Sequence, residues 1–225
     1  MVNFVFMLTR ADRTIDNALD VLDEVRDLGL SHIGFKDVGI DPARAVELHR
    51  RIKELGATSY LEVVSTSNEA IVQSARLGRE LGVDRLLGGA GEQFDAVMGV
   101  LAGSSVAYLP FPGRPFGHPT QLRGTVDEIE RDCRAFRARG AAGCDLLAHR
   151  SVDADPLELV RAARRGLDGG VLLVAGGVAS AAHVRALREA GADAFTVGSA
   201  VFDGTFAQGG GGVRAQLKAV LDACR

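Results

Sequence analysis

Apolar and polar positions along this chain alternate between two periods. Short, nearly unbroken apolar runs occur at NFVFMLT (3–9), HIGFKDV (32–38), SYLEVVS (59–65), DRLLGG (84–89), VAYLPF (106–111), CDLLAH (144–149), VLLVAG (171–176) and DAFTVGS (193–199). Runs of this kind predict parallel strands covered on both faces. Between them the apolar positions return every three or four residues, as in AVELHRRIKEL (45–55), AIVQSARLGREL (70–81) and LELVRAARRGL (157–167), which predicts amphipathic helices.

The boundaries support this division. Asp41-Pro42 and Asp155-Pro156 set a capping acid before proline at the first helical position. Thr66 with Glu69 and Thr125 with Glu128 have the spacing of capping boxes. Gly56, Gly82, Gly140 and Gly191 end helices where the chain turns to the next strand. Eight such units without a linker or shift in composition predict an α/β fold, a single (β/α)8 TIM barrel domain spanning residues 1–225. A doubly wound sheet is the alternative, and the evenness of the repeats favours closure. GGGG at 209–212 reads either as a flexible turn before the last helix or as a source of further anion-facing amides.

Composition narrows the function classes. With 225 residues, 47% hydrophobic and 24% charged, the chain can bury a sizeable core. Its net charge of −3 and interspersed signs offer no basic patch for nucleic acid or an anionic membrane. Cys133, Cys144 and Cys224 lie far apart and form no CxxC, so no disulfide framework is expected, and Cys144 reads as a small core residue. The start, MVNFVFMLTR, has too short an apolar run for a signal peptide or membrane span and reads as the first strand, so a cytoplasmic location is expected. Homo-oligomerisation is left open.

The C-terminal third carries the clearest chemistry. A strand ends in Gly176-Gly177, a helix follows, and a second strand ends in Gly198-Ser199. Strand ends of glycine and serine, one helix apart, let backbone amides converge on one anion. In a barrel they fall at strands 7 and 8, where phosphate sites of this fold usually lie. The segment AGGVAS…LREAGADAFTVGSAVFDG resembles the C-terminal quarter of ribulose-phosphate-binding barrels, such as the imidazole-ribotide isomerase and cyclase of histidine synthesis. It is similar, too, to the tail of phosphoribosylanthranilate isomerase, indole-glycerol-phosphate synthase and the tryptophan synthase α subunit. The resemblance covers about 35 residues and implies that Gly176, Gly177, Gly198 and Ser199 ligate the phosphate of a small-molecule substrate.

The resemblance does not name the reaction. The histidine-pathway enzymes use aspartates at strands 1 and 5, where this chain has Asn3, Thr9 and Arg10, and Pro110 and Pro112. Metal-dependent ribulose-phosphate epimerases use a His/Asp set, whereas strands 2 and 3 here offer Lys36 and Glu62. The five histidines form neither HxH nor HExxH, so no metal site is expected. No GxGxxG follows strand 1, and no cofactor is expected; a flavin phosphate would fit strands 7 and 8 only with an apolar slot beside them.

Lys36 interrupts an apolar strand and alternates inward with Gly34. Desolvation there favours a neutral amine, able to act as nucleophile or base; the structural reading is an ion pair with Asp37 or a carboxylate across the barrel. Glu62, on the next strand, shares the inward face with Tyr60 and Val64. Asp145 alternates with Leu147 and His149, and either meets substrate or pairs with Lys36 from a lower layer. His149 and Arg150 end that strand, suited to acid–base work and anion binding, and Arg10 ends strand 1 as a further anion ligand. His32 and His49, at a strand start and in a helix, read as structural.

The segment PFPGRPFGHPTQLRGT (110–125) is long for a strand–helix connection and carries Arg114 and His118. Such loops cover active sites, and histidine suits proton transfer; a rigid surface loop is the plainer reading. Two reactions fit these residues, and the first is favoured because the lysine alternates inward and no metal is expected to polarise a carbonyl. In one, Lys36 forms a Schiff base with a phosphorylated carbonyl substrate while Glu62, Asp145 or His118 moves protons, giving a lyase of aldolase type. A lysine ending strand 2 is similar to the arrangement in the (hydroxymethyl)furan-carboxaldehyde-phosphate synthase type of barrel. In the other, Glu62 or His118 takes a proton beside a carbonyl and Lys36 stabilises the enediolate, as in a sugar-phosphate isomerase or epimerase. A non-catalytic barrel that binds a phosphometabolite is the third reading.

Overall fold

The computed structural model describes residues 2–89, 91–207 and 210–225. Its frame is eight parallel strands: β1 (Asn3–Met7), β2 (His32–Lys36), β3 (Thr58–Val63), β4 (Arg85–Gly88), β5 (Ala107–Leu109), β6 (Gly143–Leu146), β7 (Val171–Val174) and β8 (Ala194–Val197). Each pairs with its sequence neighbour, and β1 pairs with both β2 and β8, so the sheet wraps round on itself. The seam between β5 and β6 is bridged by two backbone hydrogen bonds, Ala142 N–H to Tyr108 O at 2.9 Å and Asp145 N–H to Pro110 O at 3.0 Å. The nearly closed hoop is the (β/α)8 barrel, and a doubly wound sheet is ruled out by the β1–β8 pairing.

The helices between the strands are α1 (Ala18–Val25), α2 (Pro42–Glu54), α3 (Asn68–Leu81), α4 (Phe94–Leu101), α5 (Val126–Ala138), α6 (Pro156–Leu167) and α7 (Ala181–Ala190). A short α8 (Ser199–Phe202) and a final α9 (Val213–Ala223) follow β8. Asp41 and Asp155 cap α2 and α6 as their Asp-Pro pairs require, accepting from Arg44 N–H at 2.9 Å and from Leu157 N–H at 2.9 Å. Thr125 and Glu128 form the complete capping box of α5. At α3 the expected Thr66 box is not formed. Ser67, at least as good a cap as threonine, takes the position one residue later and accepts from Ala70 N–H at 3.2 Å. Of GGGG, residue 209 lies outside the described residues, and Gly212 stands at the N-cap of α9.

Two antiparallel ribbons stand on the carboxyl end of the barrel. The first pairs Thr9–Arg10 with Arg13–Thr14 and turns at Ala11 and Asp12, both with left-handed φ, 48° and 59°. The second pairs Arg114–Phe116 with Gln121–Arg123, so the proline-rich connection is largely ordered as a β-ribbon. Inside the hoop, size is matched across strands. A Cβ on Gly34 would sit 2.6 Å from Met7 Sδ and 2.9 Å from Tyr60 Cβ, so the absent side chain is what lets those two fill the layer. Among the described residues no helix is long and apolar enough to cross a membrane.

Gly143 is the tightest point of the sheet. A Cβ there would lie 1.9 Å from the Val171 carbonyl oxygen, on the strand it pairs with. Gly143→Ala must push β6 off β7 and is expected to destabilise the fold by about 3 kcal/mol, at the upper end for overpacking. Urea unfolding measures it, and a loss under about 1 kcal/mol would show that the strands separate freely.

Candidate active site

A cavity of about 230 Å³ opens at the carboxyl ends of the strands. Its walls bring together Lys36, Glu62 and Arg150 with the Gly176-Gly177 and Gly198-Ser199 pairs. The glycines are there because nothing larger fits. Gly176 and Gly177 have φ of 72° and 73°, and a Cβ on them would lie 2.2 Å from Arg150 Nε and 2.7 Å from His149 Cβ. A Cβ on Gly198 would lie 2.6 Å from Thr9 O. No hydrogen bond among the described residues uses the N–H of Gly176, Gly177 or Ser199. Three residues whose N–H groups have no partner among the described residues thus line one cavity, an arrangement suited to an anion. Ser199 Oγ accepts from Ala11 N–H at 3.2 Å, tying this rim to the first ribbon.

The floor is a chain of buried charges centred on a residue that the sequence did not single out. Asp12, at the turn of the first ribbon, accepts from Lys36 Nζ at 2.8 Å and from both terminal nitrogens of Arg150 at 2.6 and 2.8 Å. Its Oδ2 also accepts from Thr120 N–H at 2.7 Å, on the second ribbon. Lys36 reaches Glu62 Oε1 at 3.3 Å, so the predicted ion pair exists, with Asp12 and Glu62 rather than Asp37. Asp37 instead accepts from Val64 N–H and Ser74 Oγ. Thr14 locks the end of β2, its hydroxyl bonding both the N–H and the carbonyl of Lys36 at 2.8 and 2.7 Å.

These contacts divide the three carboxyls. Burial alone would raise Asp12, but hydrogen bonds from Arg150 and the charges of Lys36 and Arg150 outweigh it and hold the carboxyl far below the usual range. Glu62 goes the other way: burial raises it and the Asp12 charge adds, against the opposing pull of Lys36. Asp145 is fully buried, and burial, then the Glu62 charge, push it well above the ordinary value. Neither Asp145 oxygen has a hydrogen-bond partner, and the residue does not line the cavity.

The other predicted residues lie further out. His149 stacks on His183 with ring centroids 4.7 Å apart, behind Gly177, and burial, then the His183 charge, lower its basicity. Arg10 is exposed and pairs with Asp203 at 2.7 Å. Arg114 pairs with Glu128 at 2.7 Å on the outer side of the second ribbon. His118 is exposed near the tip of that ribbon and does not line the cavity. Cys144 is buried in the core. His32 bonds the Tyr60 hydroxyl at 3.1 Å at the amino end of the barrel, away from this site.

No family model matches the chain, and no curated protein matches it. Solved structures share the fold. Orotidine 5'-phosphate decarboxylase from Pyrococcus horikoshii OT3 superposes with a TM-score of 0.67 at 18% identity, covering 99% of each chain. Thiamine phosphate pyrophosphorylase from Pyrococcus furiosus gives 0.62 at 13% identity, covering 100% of this chain and 97% of that one. The Amycolatopsis orientalis BexX/CysO complex gives 0.64 at 19% identity, covering 100% and 90%. At these identities the likeness is one of fold, the barrel that the C-terminal segment implied.

The two buried acids have opposite effects on stability. Asp12, depressed in the folded state, contributes stability that is present above the ordinary carboxylate pKa of about 4 and lost as pH falls below it. Asp145, raised in the folded state, favours folding only while it is protonated, so stability falls as pH rises from about 4 toward its folded value. Asp145→Asn should therefore change stability little near pH 4 and remove a downward slope of about 1.4 kcal/mol per pH unit above it. Unfolding free energies measured across pH test this, and parallel curves for the two proteins would refute it.

Proposed function

We propose that the protein is an enzyme that moves a proton on the carbon beside the carbonyl of a small phosphorylated substrate. The observation that carries this reading is the contact of Lys36 Nζ with Glu62 Oε1, 3.3 Å apart, on the wall of the cavity that the glycine pairs border. In it, Gly176, Gly177, Gly198 and Ser199 hold the phosphate through backbone N–H groups, as the likeness to ribulose-phosphate-binding barrels implies. The names of two structures that share the fold, a 5'-phosphate decarboxylase and a phosphate pyrophosphorylase, accord with a phosphorylated ligand.

Glu62 is the base. Burial raises its carboxyl above the ordinary carboxylate range, which makes the carboxylate a stronger base. The substrate carbonyl oxygen faces Lys36, whose ammonium stabilises the negative charge that develops there. Asp12 and Thr14 are positioning residues that fix the ammonium and the end of β2, and Arg150 balances Asp12 and adds positive field. Asp145, protonated, lets Glu62 carry its charge without a second anion in the same interior. His118, His149, Arg10 and Arg114 are assigned no chemical step in this reading.

One observation favours a second reading. Lys36 is 4% exposed and its side chain borders the cavity, as a Schiff-base lysine must. A Schiff-base lyase would then use Glu62 to take the proton that the amine has to lose.

Phosphorylated aldoses and ketoses incubated with the protein in deuterated water are expected to gain deuterium beside the carbonyl. Glu62→Gln should slow the exchange by about 10²–10⁴-fold while leaving phosphate binding intact. Borohydride added during turnover should leave Lys36 unmodified by mass spectrometry. An adduct on Lys36 would transfer the assignment to the lyase, and failure of inorganic phosphate to perturb the amides of residues 176–199 would overturn both.

A further inference from the structure

A second cavity, of about 150 Å³, lies on the same face of the barrel and shares no lining residue with the first. It is walled by Val63, Val64, Ile71, Phe111, Phe116 and Thr120, between the end of β3, the first turn of α3 and the second ribbon. The two cavities meet back to back. Glu62 borders one and Val63 the other, and Thr120 borders the second while its N–H bonds Asp12 in the first. Exposed Thr66 and Gly117 stand at its mouth.

The wall chemistry defines an occupant. A largely apolar cavity of about 150 Å³ is the size that takes a benzene ring. Three hydroxyls interrupt the apolar wall, on Ser65, Thr66 and Thr120, and of the three residues Thr120 alone is buried. Thr120 is only 5% exposed, and its Oγ1 has no hydrogen-bond partner among the described residues. The bonds to Asp12 and Arg150 use only the backbone of this residue, so the hydroxyl serves neither. Buried hydroxyls are normally paired, so one without a protein partner on the wall of a cavity points to a ligand atom as its partner.

We propose that this cavity binds a small, planar, largely apolar ring bearing one polar atom that pairs with the Thr120 hydroxyl. The ring is either a substituent of the phosphorylated substrate or a separate co-substrate brought against the same reacting carbon. The inference rests on the proposed enolisation site only for where that carbon lies.

Phenol and toluene are the probes, followed by methyl NMR, with inorganic phosphate titrated into the same sample. Both should shift the methyls of Val63, Val64 and Ile71 and leave those of Val178 and Val197, on the first cavity, unmoved. Thr120→Val keeps the shape and the backbone bond; it should weaken phenol by about fivefold and leave toluene unchanged, the effect of one hydrogen bond. Val64→Phe fills the space and should abolish both. Phenylalkyl phosphates of increasing chain length separate the two sources: tighter binding than phenol or phosphate alone marks a single substrate, and no gain marks a co-substrate. If neither probe moves the three methyls, or if Thr120→Val affects both probes equally, the inference falls. Phosphate shifts at residues 176–199 in the same sample would then leave the proposed function standing, and their loss alone would sink that function and leave the ring site.

Discussion

The carboxylate of Asp12 is the interaction on which the mouth of this barrel depends. Two oxygens take four hydrogen bonds from three different parts of the chain: Lys36 on β2, Arg150 after β6 and the amide of Thr120 on the second ribbon. A buried lysine and a half-buried arginine with no anion between them would repel one another. With Asp12 in place they become fixed charges on the cavity wall. The left-handed turn at Ala11 and Asp12 is the backbone conformation that delivers the carboxylate there.

The hoop itself is legible in the chain because it obeys one simple rule. A strand covered on both faces is apolar throughout, and a helix lying on it is apolar on one side, so the eight units appear as changes of period. The carboxyl-end glycines are legible for a similar reason, since a Gly-Gly pair closing an apolar run has few other uses. Lys36 and Glu62 stand out because charge inside such a run is costly.

Asp12 could not be read the same way. It lies in TRADRT, a polar stretch in which an aspartate looks like any solvated loop residue. Nothing in that pattern shows that the chain turns back over the strand ends. The available signal was indirect: a lysine inside a strand needs a carboxylate, and the loop of the neighbouring strand holds one. His118 and Arg114 show the converse case. Both sit in an unusual loop, but that loop pairs with itself, sending Arg114 to Glu128 and leaving His118 in solvent. The part of the loop that reaches Asp12 is Thr120, through a backbone group that no side-chain pattern encodes.

Asp145 has two separable parts. Its backbone N–H makes one of the two hydrogen bonds across the β5–β6 seam, a task that any residue but proline performs equally well. Its side chain makes none. Barrel closure therefore places no demand on the acid, and a leucine or valine would serve the fold better at that position. Under the function proposed above, a neutral carboxyl near Glu62 is what this position contributes, and residue 145 is where one substitution separates the demands of barrel closure from those of the site.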